Sequence, residues 1–362
     1  MEKAKLHNDR LEGAGMVSGR VAIVILNWNG WLDTIECLES LYQMTYPTFD
    51  VIVVDNGSTD ESVLKLKEYC AGSLKVESRY LNYSGSNKPI RMEEVIYSSG
   101  EFIAVQCPND KSLISDRQTL IIVKNNNNDG FARGCNIGID YAVVGLRPEF
   151  ILLLNNDTVV LPTLLEGLVN ALASCRELAA VSPRVLYYDF NGQENVINST
   201  GARVVRWLGT TRNFCVGRAS ERCRQDEIAP VEIISGACML VKVSVLNEVG
   251  LLDPEYFLGW EETDWCVRAS RYNYKVAVVT GVPIWHKEAA STKKIKAYWW
   301  YYWMQNRIVF MAKHGNWLQK VTFVFYYCFF EMWYTLIRYQ RNVDAFNRSV
   351  RGFLHGLPKL RR

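Results

Sequence analysis

The chain has 362 residues, of which 49% are hydrophobic and 22% charged, a composition typical of a globular protein and unlike that of a disordered or collagen-like chain. Its net charge of +3 is too small to predict binding to nucleic acid. The ten cysteines include no C-x-x-C pair, so the sequence predicts neither a structural zinc site nor a disulfide framework, and a reduced, cytoplasmic setting is expected.

The first part of the chain alternates short buried strands with amphipathic helices. Val21–Leu26 and Val51–Val54 are continuous apolar runs rich in β-branched residues, as in strands buried on both faces. The first run is followed by apolar residues at helical spacing, and the second by a turn and a helix from Glu61. This alternation predicts parallel βαβ units.

Residues 71–119 interrupt the alternation, and we interpret them as an insertion with a small hairpin and a short strand at Phe102–Gln106. The alternation then resumes with these elements: a strand at Leu120–Val123, a helix from about Gly134, a strand at Phe150–Leu154, a helix at about Pro162–Cys175, a strand near Ala179–Ser182, a helix at Glu261–Tyr272 and a strand at Lys275–Val279. The sequence therefore predicts an α/β domain over residues 20–296, with a Rossmann-like, mostly parallel central sheet and flanking helices. Residues 1–19 form a polar extension without the apolar core of a signal peptide.

Polar side chains follow three of the predicted strands. Asn27 and Asn29 follow the first, Asp55 ends the second, and Asn155-Asn156-Asp157 follows the strand at 150–154. Ligands of an open parallel sheet bind outside the carboxyl ends of its strands, so we expect these residues to share one site. Helix capping is the alternative for either aspartate taken alone.

Two glycine-containing turns bear on the ligand. The first turn holds a single glycine, Gly30, which excludes the usual dinucleotide fingerprint, and no Walker A loop is present. Gly130 and Gly134 lie where a helix is predicted to start, so backbone amides there could face a phosphate, and Arg133 adds a positive charge. Close packing is an equally common reason for such glycines.

A third feature is a run of acids between two tryptophans: Trp260, Glu261, Glu262, Asp264 and Trp265. Aromatic neighbours raise the pKa of a carboxyl group, which suits a general base. The alternative is a helix N-terminus, whose dipole favours acids, but that does not explain the tryptophans. His286, one of four histidines, is by itself more often structural than a ligand.

Taken together, these residues resemble a glycosyltransferase of family 2, of the GT-A type, and in particular the bacterial rhamnosyltransferases of cell-wall and O-antigen assembly. The resemblance runs from Val21 to about Lys313, apart from the insertion at 71–119. Seven motifs in the family's order carry it: Val24–Gly30, Val53–Asp60, Gly130–Asn136, Leu153–Asp157, Gly236–Met239, Trp260–Asp264 and Trp285-His286.

The resemblance implies a role for each motif. The residues that would bind a nucleoside-diphosphate sugar donor are Asn27, Asn29, Asp55, Gly130, Arg133, Gly134, Asn136, Asn155 and Asn156. Asp55 would hold the base or ribose. Asp157, the carboxylate in the segment that matches the family's Asp-x-Asp motif, would bind Mg²⁺ or Mn²⁺ together with His286. Glu262 stands at the position of the general base, with Glu261 and Asp264 beside it as further catalytic candidates.

The implied reaction is a single displacement that inverts the anomeric carbon. It would transfer a sugar, rhamnose from dTDP-rhamnose by resemblance, to a hydroxyl of a glycan or a lipid-linked acceptor in surface polysaccharide or glycoconjugate assembly. One alternative is a sugar nucleotidyltransferase, but residues 27–31 lack its glycine-rich, basic signature. Another is a non-catalytic, membrane-associated protein that binds a nucleotide sugar, which the intact set of Asp157, Glu262 and His286 disfavours.

The C-terminal region differs in composition from the rest. Residues 287–362 carry 14 Lys and Arg against three acids, a net charge of +11, which leaves −8 for residues 1–286. Between Tyr298 and Tyr334, 16 of 37 residues are aromatic. Aromatic rings beside basic residues suit the headgroup level of a bilayer. Residues 297–362 are therefore predicted to be helical and membrane-associated, with the protein peripheral at the inner face of the cell membrane.

Two observations limit this prediction. Glu331 interrupts the apolar run Val321–Ile337 and argues against a simple membrane span. The basic residues are mixed with apolar ones and do not form a polar groove, which disfavours nucleic acid as a partner. Packing of the tail on the catalytic domain, or on a second subunit of a homo-oligomer, is the alternative.

Overall fold

This computed structural model describes residues 19–105, 119–223, 225–288, 290–333 and 343–361. The strands in these ranges are β1 (Val21–Asn27), β2 (Phe49–Asn56), β3 (Met92–Ser98), β4 (Glu101–Val105), β5 (Leu120–Asn125), β6 (Phe150–Asn155), β7 (Thr158–Val159), β8 (Leu178–Tyr187), β9 (Ile197–Ser199), β10 (Ala202–Val205), β11 (Thr210–Asn213), β12 (Ile228–Val231), β13 (Cys238–Lys242) and β14 (Lys275–His286). The α-helices are α1 (Trp31–Leu41), α2 (Ser62–Cys70), α3 (Phe131–Tyr141), α4 (Leu164–Ser174), α5 (Val243–Val249), α6 (Glu261–Arg271), α7 (Ala290–His314), α8 (Trp317–Tyr326) and α9 (Val343–Gly356).

Twelve of these strands form one sheet, whose main path runs β12-β14-β8-β13-β6-β1-β2-β5-β3-β4. Strands β6, β1, β2, β5 and β3 are parallel neighbours, and β13 enters antiparallel between β6 and β8. In this register Asn27 lies opposite Asp55, and Leu26 lies opposite Asn155. The carboxyl ends of the central strands therefore meet at one edge, and the predicted α/β fold with a mostly parallel central sheet is confirmed.

Alternate side chains of the central strands feed two hydrophobic layers. In β1, Val21, Ile23 and Ile25 pack with α1, α2 and α4, whereas Ala22 and Val24 pack with α3, α5, α6 and α7. Because both faces are covered, the strands read as continuous apolar runs instead of alternating ones. The helices thus sandwich the sheet and leave its carboxyl edge open for a site.

The segment at 71–119 differs from the predicted insertion. Its hairpin, β3–β4, is present, but β3 also pairs in parallel with β5 and so extends the main sheet. Only Val95 of β3 is fully buried, which is why no apolar run marks the strand. The predicted strand at 102–106 corresponds to β4, and residues 106–118 lie outside the described ranges.

Two further local predictions were wrong. Cys215 and Cys223 form a disulfide bond, although the sequence showed no disulfide framework. Their spacing of eight residues matches no short cysteine motif, and the intervening chain is held by a 3₁₀ turn at Ser220–Arg222. The strand predicted at 275–279 continues through an irregularity after Val279 and ends at His286, so this histidine lies at a strand end.

The C-terminal region is helical and joins the body of the protein. Helix α7 runs across the predicted domain boundary between residues 296 and 297. Its second half buries Met304, Ile308 and Phe310 in the same core as Trp260. None of the helices in the described ranges combines the length and apolar content of a membrane span.

Candidate active site

The ends of β1 and β2 are joined by a buried hydrogen-bond network. The Asn27 side-chain amide donates to Asp55 Oδ1 at 2.8 Å, and the Ser58 hydroxyl donates to the same oxygen at 2.6 Å. The Ser58 backbone N–H reaches Asp55 Oδ2 at 3.3 Å. Asp55 is thereby fixed at the carboxyl edge of the sheet, where it is 4% exposed. Its Oδ1 accepts two short hydrogen bonds, whereas Oδ2 accepts one longer one.

Asn29 and Asn156 connect the loops around this network. The Asn29 side-chain oxygen accepts hydrogen bonds from the backbone N–H groups of Thr59 and Asp60, at 2.8 and 3.1 Å. The Asn156 amide donates to the Thr34 hydroxyl at 3.0 Å, and that hydroxyl donates to Asn27 Oδ1 at 2.9 Å. The structure therefore brings Asn27, Asn29 and Asn156 together, where their side chains hold the loops in place.

A second network at the end of β5 was missed in the sequence. The Asn125 amide donates to Asn56 Oδ1 and to Asp129 Oδ2, both at 2.9 Å. The Asn56 amide donates in turn to Asn128 Oδ1 at 3.1 Å. Asn56 directly follows Asp55, and Asn125 ends β5. Both therefore lie at the carboxyl ends of parallel strands, which is the position that marked Asp55 as a site residue.

The start of α3 shows why its glycines are needed. Gly130 has φ of +85°, and a Cβ there would lie 2.6 Å from the backbone oxygen of Phe257. That oxygen accepts a 2.7 Å hydrogen bond from the N–H of Phe131, so this amide of the helix start is already engaged. A Cβ on Gly134 would lie 2.4 Å from Leu26, which identifies close packing of α3 on β1 as the reason for this glycine.

Arg133 and Asn136 lie on the outer side of α3. Both line a polar cavity of about 370 Å³, together with Asn125, Asp129 and the turn of the β3–β4 hairpin. Arg133 is exposed, whereas the Asn136 amide group bonds both backbone groups of Leu252, at 2.7 and 3.2 Å. Arg133 is thus the better placed of the two to meet a ligand.

Asp157 and His286 face each other across the end of the sheet. His286 Nε2 lies 3.1 Å from Asp157 Oδ1 and 3.4 Å from the Asn155 amide nitrogen. Burial opposes the charge on both groups, but their mutual attraction lowers the pKa of Asp157 and raises that of His286. His286 Nδ1 and Asn155 Oδ1 are buried, and within the described residues neither has a hydrogen-bond partner.

The donors at this end of the sheet suit a divalent cation. In the described ranges no three His, Cys, Asp or Glu side chains form a complete metal cluster. The Asp157 carboxylate and two orphaned buried atoms nevertheless offer oxygen and imidazole donors in one place. Mg²⁺ is commonly held by one or two carboxylates together with substrate phosphates, so this donor set fits a cation that a diphosphate would complete.

Glu261 and Glu262 begin α6 directly after Trp260, whose backbone is left-handed with φ of 78°. Burial raises the pKa of both carboxyl groups, and the neighbouring Glu262 raises that of Glu261 further. Glu261 Oε2 is buried, with no hydrogen-bond partner among the described residues. Glu262 lines a cavity of about 260 Å³ and receives a 3.3 Å hydrogen bond from the Thr263 hydroxyl.

The Glu262 cavity extends toward the Asp157–His286 pair. Glu288 lines the same cavity, and it interacts electrostatically with both His286 and Asp157. The backbone of Glu288 is left-handed, with φ of 53°, and Tyr187 and Asn198 hydrogen-bond its side chain. The sequence analysis missed Glu288, although its place two residues after His286 offered a positional clue.

Asp264 lies away from this cavity. Its Oδ1 meets His314 Nε2 at 2.7 Å and the Tyr256 hydroxyl at 3.1 Å, and its Oδ2 accepts from Arg268 Nε at 2.7 Å. Burial acts to raise the pKa of Asp264, but His314 and Arg268 together hold it below its usual value. Oδ1 therefore ties α6 to the end of α7, while Oδ2 is held within α6 by Arg268. These contacts support a structural role for Asp264, and the catalytic role stays a prediction.

Family models match most of the chain. A model of glycosyl transferase family 2 matches residues 22–87, and one of glycosyltransferase like family 2 matches residues 112–306, more than half of the chain. The chain belongs to glycosyltransferase family 2. It is thus an enzyme that transfers sugars from nucleotide sugars, and the resemblance seen in the seven motifs is confirmed at the level of the family.

Individual proteins are also similar to this chain. The low-salt glycan biosynthesis hexosyltransferase Agl10 of Haloferax volcanii is 21% identical over 284 residues, which span 76% of this chain and 89% of that protein. The mannosyltransferase PcManGT from Pyrobaculum calidifontis is 14% identical, with a TM-score of 0.51 over 98% of this chain and 82% of that one. GalNAc-T7 is also 14% identical, with a TM-score of 0.52 over 90% of this chain and 58% of that one. These structural neighbours confirm the GT-A fold.

Proposed function

We propose that this enzyme is an inverting, metal-dependent glycosyltransferase with Glu262 as its general base. The observation that carries the proposal is a partly buried carboxylate that lines a cavity and is hydrogen-bonded by the Thr263 hydroxyl and by backbone N–H groups, with no cation paired to it in the described residues. Burial raises the pKa of Glu262, which makes it a stronger base once ionised. Asp264 has no such freedom, because Arg268 and His314 occupy its oxygens.

The donor half of the site would lie along the ends of β1, β2 and β5. Asp55 Oδ2 supports binding of the base or ribose, and exposed Arg133 supports binding of a negatively charged diphosphate. PcManGT was solved with GDP-Man and Mn²⁺, and GalNAc-T7 with UDP, GalNAc and Mn²⁺. We assign a nucleoside-diphosphate sugar as the donor, with dTDP-rhamnose as the first candidate because of the motif resemblance.

Asp157, Asn155 and His286 are the residues that would hold Mg²⁺ or Mn²⁺. Such a cation neutralises charge that develops on a leaving diphosphate. Lys287 continues this side of the site: its ammonium group pairs with Asp33 at 2.6 Å and with Glu36 at 2.5 Å. These two ion pairs fix the chain that follows His286 against α1.

Glu262 would accept the proton of the acceptor hydroxyl while that oxygen attacks the anomeric carbon. The attack comes from the face opposite the leaving diphosphate, so one displacement inverts the anomeric centre. No protein nucleophile is required for this step. The charge of Glu262 would raise the pKa of Glu261, buried beside it, so that Glu261 stays protonated while Glu262 is ionised. The acceptor would be a hydroxyl of a glycan or of a lipid-linked sugar in surface polysaccharide or glycoconjugate assembly.

A donor screen tests this proposal. Purified enzyme is incubated with UDP-, GDP- and dTDP-sugars and a panel of hydroxyl acceptors, with Mn²⁺, with Mg²⁺ or with EDTA, and release of the nucleoside diphosphate is measured. We expect release from one donor class, abolished by EDTA, and a product whose anomeric proton shows inversion by NMR. Full activity in EDTA would overturn the metal assignment, and retention of configuration would overturn the single displacement.

A further inference from the structure

Helix α8 and the helical residues that continue it, a π-helical segment at Tyr327–Glu331 followed by residues 332–333, expose an unusually apolar surface. Six large side chains, each between 54% and 71% exposed, form this surface, which we call the aromatic face: Trp317, Val321, Phe325, Phe329, Phe330 and Trp333. The sequence from 317 to 333 contains one acidic residue, Glu331. The buried Arg307 binds both of its carboxylate oxygens, at 2.5 and 2.9 Å. An apolar surface of this kind marks a contact with a protein or a membrane.

The opposite side of the same helix is firmly anchored. Phe323 and Tyr327 are buried, and the ring of Tyr327 stacks on Phe353 of α9 at 4.0 Å. The helix begins at a capping box in which the Asn316 side chain accepts from Gln319 N and the Gln319 side chain accepts from Asn316 N. The aromatic face is therefore held outward by the fold, and it is not the loose end of a frayed helix.

The β10–β11 hairpin extends this surface with positive charge. The Thr322 hydroxyl of α8 donates to the backbone oxygen of Trp207 at 3.0 Å, and the Trp207 side chain, in the hairpin turn, is 52% exposed. Arg203 and Arg212 lie opposite each other on the two strands, and both are exposed. The hairpin thus joins two exposed arginines to the helix that carries the aromatic face.

We propose that the aromatic face and the turn of this hairpin dock on the surface of an anionic lipid bilayer. The surface of an anionic bilayer favours tryptophan and phenylalanine side chains at the headgroup level, with arginines beside them. A second copy of the chain fits less well. In a twofold interface the same surface meets itself, so Arg203 and Arg212 would approach their own copies with no unpaired acid of the aromatic face to neutralise them.

The docking surface and the Glu262 cavity share the β10–β11 hairpin. Ala202, Thr211 and Asn213 line the cavity from one face of the hairpin, while its turn contacts α8. Asn213 lies four residue steps along the extended chain from Gly209, a span of about 14 Å. If the proposed function holds, an acceptor anchored in the bilayer would reach Glu262 without leaving the membrane surface.

Vesicle flotation tests the docking surface directly. The full chain is mixed with vesicles of phosphatidylglycerol and phosphatidylcholine, or of phosphatidylcholine alone, at low and high salt. We expect binding to the anionic vesicles that weakens with salt but persists, because salt screens the charge and leaves the aromatic burial. The triple variant Val321→Ser, Phe325→Ser, Phe329→Ser should reduce binding by at least about tenfold. Its matched control, Leu64→Ser, Val144→Ser, Tyr272→Ser, removes three exposed apolar side chains elsewhere and should bind like the wild type.

A charge-reversal pair tests the arginines. The double variant Arg203→Glu, Arg212→Glu should weaken binding to anionic vesicles by about tenfold or more. The double variant Lys75→Glu, Arg147→Glu makes the same change of net charge elsewhere on the chain and should bind these vesicles like the wild type. Absence of flotation by the wild type overturns the proposal, as does equal loss in both triple variants. A concentration-dependent dimer that only the α8 variant loses would identify a second copy as the occupant. Nucleoside-diphosphate binding, measured on every variant, should be unchanged, and its absence from the wild type would instead count against the proposed function.

Discussion

Two carboxylates of α6, only two residues apart, lie in opposite environments. Asp264 is enclosed by Arg268, His314 and Tyr256, and its pKa is held low. Glu262 lines a cavity, and burial raises its pKa. Residues two apart on a helix point to different sides, so one short acidic run serves two purposes. A carboxylate with bound cations keeps its charge and stabilises the fold, whereas an unpaired one can exchange a proton with a ligand.

The largest effect should follow from Glu262→Gln. Glutamine keeps the shape of the side chain but cannot accept the hydroxyl proton, so the rate of transfer should fall by roughly 10²–10⁴. The dissociation constant of the donor should stay near that of the wild type, as measured by titration without acceptor. A variant that loses donor binding along with the rate would move Glu262 out of the base role and into the donor pocket.

Asp264→Asn should act on stability. It leaves Arg268 and His314 in a buried site without their carboxylate, and breaking a buried ion pair from one side lowers the free energy of unfolding by about 3–5 kcal/mol. Asp344→Asn, which breaks the exposed pair with Arg348, is the control and should lower it by less than about 0.5 kcal/mol. Urea denaturation measures both. A catalytic role for Asp264 would instead appear as a slow enzyme of normal stability.

Asp157→Asn should act on metal dependence. The amide keeps one oxygen but removes the negative charge, so the Mn²⁺ concentration for half-maximal rate should rise by roughly 10–100-fold. Asp189→Asn, an exposed acid elsewhere on the chain, should leave the metal titration unchanged. Superimposable titrations of the wild type and Asp157→Asn would remove Asp157 from the metal site.

The smallest effect is expected from Glu261→Gln. A base works only when ionised, so the rate of transfer should fall as the pH drops through the raised pKa of Glu262. Burial and the charge of Glu262 hold the pKa of Glu261 well above its usual value, so Glu261 is protonated while Glu262 titrates, and replacing it with the neutral glutamine should leave the acid limb of the rate profile in place. Two other titratable groups lie near Glu262 and are kept in this variant: Glu288, which lines the same cavity, and Cys266, which interacts electrostatically with Glu262. A clear shift of the acid limb in either direction, measured as the pH dependence of the transfer rate, would contradict the assignment.

Local sequence patterns predicted the central fold well because its strands are buried on both faces. Val21–Leu26 and Phe150–Leu154 stand out as apolar runs, and the polar residues after them fall at one edge of the sheet, as the parallel connection requires. Strand β3 was missed because six of its seven residues are only partly buried. Periodicity is weak in an edge element of this kind.

Local patterns do not show partners that lie far away along the chain. Asp264 looked like one of three similar acids, and only the fold brings in His314, 50 residues later. The aromatic C-terminal region looked uniform, yet Met304, Ile308 and Phe310 of α7 pack into the core while the aromatic face of α8 points outward. Composition gives the amount of apolar surface in a helix but not the side that another element covers.

The pH dependence of transfer at saturating donor and acceptor tests the role of Glu262 most directly. The wild-type enzyme should show an acid limb above the usual range of a carboxyl group, because burial raises the pKa of Glu262. Asp264→Asn, assayed where it is fully folded, should keep that limb, and the slow residual activity of Glu262→Gln should lack it. An acid limb that survives in Glu262→Gln, or that disappears in Asp264→Asn, would contradict the assignment of the base.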